Sequence, residues 1–133
     1  SCYARPGQRW TYYEIDPVVV EIARDPERFT FLSRCLPDVP VVLGDARLSL
    51  AQQARGSKDV LVIDAFTSDA VPMHLLTREA FALYRRVLRP DGLLLVHISN
   101  RHLNLEPVVA AAARQGYHAL VGNHEPSASE VAD

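Results

Sequence analysis

The chain has 133 residues, and its shortages narrow what it can be. Lys58 is the single lysine, and 14 basic residues stand against 16 acidic ones for a net charge of −2. No basic footprint for nucleic acid or an anionic membrane follows from such a balance. No apolar run approaches the roughly 20 residues of a membrane span, so no membrane contact is expected from this segment. The two cysteines, Cys2 and Cys35, are too few for a disulfide framework and lack metal-ligand spacing. A reducing, cytoplasmic setting is therefore expected. His102, His118 and His124 show no metal-type spacing either, and no metal is expected. The preference for Arg over Lys hints at a GC-rich bacterial gene.

A further shortage is local. The stretch 1–8 has no glycine-rich turn of the kind that brings backbone N–H groups close to a nucleotide. Its first residues read as the end of a helix, and the chain is expected to begin just after its own glycine loop.

What the chain does have is enough apolar sequence, 48% of residues, to bury the core of one domain. Short apolar runs alternate with helical patterns, which predicts βαβ units and a mainly parallel sheet with helices on both faces. Strands are expected at 9–14, 39–43, 60–64, 93–98 and 117–121. Helices are expected at 17–24, 48–55, 78–88 and from Asn104 to Gly116, with a further turn or two within 27–35. Asp16 and Thr77 read as N-caps, with Pro17 in a first turn. The run 60–64 reads as a strand buried on both faces. Residues 1–121 form the expected α/β domain, and 122–133 a polar tail.

Three acids fall at the ends of three successive strands: Glu14, Asp45 and Asp64. A fourth, Asp69, lies in the long loop that follows the third. In an open parallel sheet, ligands sit beyond the carboxyl ends of the strands, so these carboxylates are placed for a nucleoside-type site. Asp45 has a second reading as a helix N-cap, and Asp64 as an organiser of its loop. His74 reads as a structural or solvated loop side chain, and His97 as a hydrogen-bonded core histidine. Arg85 and Arg86 read as a solvated helix face.

The strings Tyr13-Glu14-Ile15-Asp16-Pro17, Gly44-Asp45-Ala46 and Asp64-Ala65-Phe66-Thr67-Ser68-Asp69 resemble the polyamine aminopropyltransferases, the spermidine synthase family. Val71-Pro72-Met73-His74-Leu75-Leu76-Thr77 and Val96-His97-Ile98-Ser99-Asn100 resemble its bacterial spermidine synthase-like branch, some of whose members are fused to membrane transporter-like segments. Asp69 is followed by Ala70 and stands one residue further from Asp64 than in the classical synthases, where a proline follows.

The resemblance implies a Rossmann-like, class I S-adenosylmethionine-dependent methyltransferase fold that lacks its first strand and glycine loop. It implies aminopropyl transfer from decarboxylated S-adenosylmethionine to a diamine such as putrescine. Glu14 would hold the ribose hydroxyls and Asp45 the adenine amino group, with Ala46 beside the ring. Asp64 would lie near the sulfonium and the attacking amine, and Asp69 would orient that amine or take its proton. The partner is then a small-molecule polyamine, and a homo-oligomer is compatible with it. A methyltransferase using S-adenosylmethionine itself, and a nucleoside-binding domain without turnover, are the competing readings. In this fold the absent strand lies between those ending at Glu14 and Asp64. Either those two strands pair directly, or another segment or chain covers their edges, because unpaired buried edges are costly.

Overall fold

The computed structural model describes residues 2–65, 72–99, 103–114 and 116–122. In chain order its elements are β1 (Tyr12–Glu14), α1 (Pro17–Arg24), α2 (Phe31–Cys35), β2 (Val41–Leu43), α3 (Ala46–Ala51) and β3 (Lys58–Ile63). A 3₁₀ turn at Met73–Leu75, α4 (Arg78–Val87), β4 (Leu88–Val96) and α5 (Glu106–Ala113) complete them. The α/β alternation is the one the apolar runs predict.

Local chemistry sets the helix starts. The Asp16 carboxylate accepts from the Val18 N–H at 2.8 Å, with Pro17 opening α1. Asp45 accepts from the N–H groups of Arg47 and Leu48 at the head of α3. The Thr77 hydroxyl accepts from the Ala80 N–H at 3.2 Å to open α4. Each satisfies donors that a first helical turn leaves without partners. Asn104 likewise accepts from the Glu106 N–H at 3.1 Å, ahead of α5.

The strands form two parallel pairs, β1 with β2 and β3 with β4. Direct pairing of the strands ending at Glu14 and Asp64 is not found, because β1 and β3 belong to different sheets. Among the described residues no strand covers the second edge of either. In the β3–β4 ladder, Lys58 faces Leu88 but Val60 faces Leu93, so residues 89–92 bulge out of β4 instead of preceding it as a turn. A Cβ at Gly92 would meet the Arg89 backbone and the Asp59 carbonyl at 3.1 Å, so a larger residue at the bulge requires that backbone to give by a few tenths of an ångström.

The core lies between β3 and α4, with Leu50 of α3, Phe81, Tyr84 and Val87 fully buried. The run expected to be buried on both faces is buried on one. Leu61 and Ile63 are 7% and 6% exposed, whereas Val60 and Val62 are 54% and 55% exposed. Leu93 and Leu95, their register partners, are open on the same face. The reason is layering: α4 packs against the face carrying Leu61 and Ile63.

Three further expectations are corrected. Residues 117–121 form no strand; Tyr117 instead packs edge-on to Phe81 and donates its hydroxyl to the Phe81 carbonyl at 2.8 Å. Residues 2–3 form a turn, not a helix end. Cys2 and Cys35 are joined in a disulfide across 33 positions, with Cα atoms 4.8 Å apart, although their spacing carries no pairing signal. The bond ties the stretch before β1 to the end of α2. Among the described residues no helix is long and apolar enough to cross a membrane.

Candidate functional site

Parallel pairing puts chemistry-bearing residues at the carboxyl ends of both sheets. Glu14 is the last residue of β1, and Asp45 follows β2 by two positions. Asp64 follows β3 directly, and His97 follows β4 directly. In each pair the two strands run the same way, so Glu14 shares an edge with Asp45, and Asp64 with His97.

The Glu14 carboxylate bends back over the turn it precedes. Its Oε1 accepts from the N–H groups of Ile15 at 2.7 Å and Asp16 at 3.0 Å. Gly44, with φ of +124°, donates its N–H to the Glu14 carbonyl at 2.9 Å. Backbone in that region favours glycine, and it lets the chain swing from β2 into α3. The positions of Glu14 and Asp45 are thereby tied to each other through the backbone.

Asp45 divides its two oxygens. Oδ1 caps α3, which agrees with its N-cap reading, while Oδ2 lies 3.6 Å from His74 Nε2. Ala46 is the first residue of that helix. His74 is half exposed, and its carbonyl accepts from Arg47 Nη1 at 3.2 Å. It thus stands against the acid edge, joined to α3 by both backbone and side chain.

Asp64 is placed by a close contact with His97. Its Oδ1 lies 2.7 Å from His97 Nδ1, and the His97 N–H donates to the Ile63 carbonyl at 2.9 Å. His97 Nε2 in turn meets the Ser99 hydroxyl. His97 is therefore not a core histidine: it lies one residue past β4 with its side chain half exposed. The expectation failed because the apolar run 93–98 hides where the ladder stops. Residues spaced by two share a face of an extended chain, and the pattern Val96-His97-Ile98-Ser99 was the available signal for joining His97 to Ser99.

Asp69 lies outside the described residues. Arg86, read as part of a solvated face, is instead committed to structure. Its guanidinium donates to the carbonyls of Leu50, Ala51 and Gln53 at the end of α3. Two shallow clefts on the helical side, one by Arg55, Phe81 and Tyr117 and one by Thr77, Glu79 and Pro107, include none of Glu14, Asp45 and Asp64. Among the described residues no three or more His, Cys, Asp or Glu side chains gather as a metal site would need.

No family model matches the chain. It is similar to a polyamine aminopropyltransferase of Vibrio vulnificus (strain CMCP6), with 34% identity over 94 residues. The match covers 69% of this chain but only 30% of that protein, so the chain spans under a third of the length of the curated relative it matches. Distant and partial as it is, this similarity supports a spermidine synthase-like family for the chain.

Proposed function

We propose that this chain is part of an aminopropyltransferase that moves the aminopropyl group of decarboxylated S-adenosylmethionine to a diamine such as putrescine. The observation that carries the proposal is the similarity to a polyamine aminopropyltransferase in a chain whose acids follow parallel strand ends. Residues 1–121 are then a partial S-adenosylmethionine-type domain, with the class I methyltransferase arrangement as its frame. The reaction belongs in the cytoplasm in this reading, although the Cys2–Cys35 disulfide is a bond more usual in oxidising compartments.

The residues fit such a nucleoside. Glu14 uses Oε1 on its own turn, which orients the carboxylate and leaves Oε2 to accept from ribose hydroxyls. A hydrogen bond to a charged acceptor of this kind contributes about 1.5–3 kcal/mol. Asp45 holds the head of α3 with Oδ1 and presents Oδ2 to an adenine amino group, beside Ala46. Asp64 and Asp69 serve the reacting end. The displacement occurs at a carbon next to a sulfonium, so the leaving sulfur departs neutral and needs no acid. The amine nucleophile is protonated in water, and nearby carboxylates favour its approach and help it shed a proton. General-base help of this kind is worth about 10²–10⁴-fold.

Calorimetric titration with decarboxylated S-adenosylmethionine and, separately, with the intact form tests the reading. Tighter binding of the decarboxylated form is expected, since a site lined with carboxylates disfavours the substrate's own carboxylate. Preference for the intact form would transfer the chain to the methyltransferases, and binding of neither would count against a nucleoside site in it.

A further inference from the structure

We propose that Asp64, His97 and Ser99 form a proton relay at the carboxyl end of the β3–β4 sheet, which takes the proton from the amine nucleophile. The proposal rests on the aminopropyl-transfer reading for its substrate, but its geometry stands independently. Asp64 Oδ1 lies 2.7 Å from His97 Nδ1, and the opposite ring nitrogen, Nε2, meets the Ser99 hydroxyl. A carboxylate only accepts, so in the neutral ring Nδ1 carries the proton and Nε2 accepts from the Ser99 O–H. The order acid, imidazole, hydroxyl is the one that makes a hydroxyl a proton conduit.

Two observations hold the relay in place. The His97 N–H donates to the Ile63 carbonyl, which fixes the imidazole beside the residue after Ile63, namely Asp64. His97 and Ser99 are two positions apart just past β4, and their side chains meet there. The side chains of Asp64 and His97 are 60% and 51% exposed, so the relay is open to a bound ligand instead of sealed in the core.

The step balances as follows. The ammonium of the nucleophile gives one proton to Ser99 Oγ while the hydroxyl's own proton passes to His97 Nε2. The imidazole becomes imidazolium, held by the Asp64 carboxylate, and the amine lone pair is free. That lone pair forms the new C–N bond as the C–S bond breaks, its electrons going to sulfur, which leaves as a neutral thioether. The product amine keeps its remaining protons, and the imidazolium returns its proton to water. Asp64 is here a positioning residue for His97, in addition to lying near the amine.

Nitrogen-15 spectra of the His97 ring and turnover of two variants test this. The wild-type ring is expected in the Nδ1-protonated form, and Asp64→Asn is expected to redistribute the tautomers. His97→Gln is expected to lower kcat by about 10²-fold while nucleoside affinity and KM for the amine move less than about threefold. Ser99→Ala, a milder change at an exposed hydroxyl, is expected to lower kcat in the same sense, and added imidazole to restore part of the turnover of His97→Ala. An Nε2-protonated wild-type ring, or His97→Gln turning over within about threefold of wild type, would overturn the relay. Absence of aminopropyl transfer by the wild-type protein would sink the functional reading instead. The ring tautomer then decides the hydrogen-bonded chain by itself.

Discussion

Burial pushes the Tyr84 hydroxyl up from an ordinary value of 10.0 to about 12, and the same hydroxyl donates to the Leu75 carbonyl at 3.0 Å. Burial raises Tyr117 as well. In the unfolded chain these phenols ionise near their ordinary value, while in the folded chain Tyr84 stays neutral until about pH 12. The unfolded state therefore binds fewer protons across that interval, and stability falls as pH rises through it. Below pH 10.0 the contribution is fully present. Tyr84→Phe is expected to flatten this alkaline fall and to cost about 0.5–1.5 kcal/mol at neutral pH through the lost hydrogen bond, read by urea unfolding at several pH values. At this scale the sequence is legible where partners are near. Asp16 and Thr77 cap within three positions, whereas the Asp64–His97 contact spans 33 and leaves no local trace.

Among the elements, α3 depends on a residue outside it. Arg86 of α4 donates to three carbonyls at the end of α3, the groups a helix leaves without intrahelical partners. Arg86→Ala is expected to destabilise the protein by about 1–3 kcal/mol, since bonds from a charged donor to the Leu50, Ala51 and Gln53 carbonyls are lost, and among the described residues backbone donors cover only the Leu50 carbonyl of these. Arg86→Lys is expected to recover little, because a single ammonium cannot reproduce the planar fork. Chemical denaturation of both variants checks this. Helix 17–24 was readable to the residue because its cap, its proline and its Asp25-Pro26 break all lie in the chain itself. The stretch 117–121 was not, because an apolar run shows that burial is wanted without showing whether a ladder is there to receive it.

For the molecule as a whole, the Cys2–Cys35 disulfide closes a loop of 33 positions around β1 and α1. Closing a loop of that length restricts the unfolded chain and is worth about 3–4 kcal/mol on a chain-entropy account. Reduction, or Cys35→Ser, is expected to lower the Tm measurably, and a thermal scan with and without reductant reads it. Equal midpoints under both conditions would show that the bond does not form in solution. The same bond runs against the expectation of a reducing setting that two isolated cysteines suggested.

Alternation of apolar runs and helix patterns, and the cap residues between them, were determined by the sequence alone, because each depends on neighbours within a turn of chain. So was the succession of Glu14, Asp45 and Asp64 after strand ends, because strand ends are marked by local punctuation such as Gly44. Only the tertiary structure decided that β1 and β3 keep to separate sheets, that Val60 and Val62 stay open while Leu61 and Ile63 are covered, and that His97 joins Asp64 to Ser99. Those outcomes depend on which distant segment reaches a given face or atom. A one-dimensional pattern of apolar and polar residues records the need for a partner, and the packing of the folded chain supplies its identity.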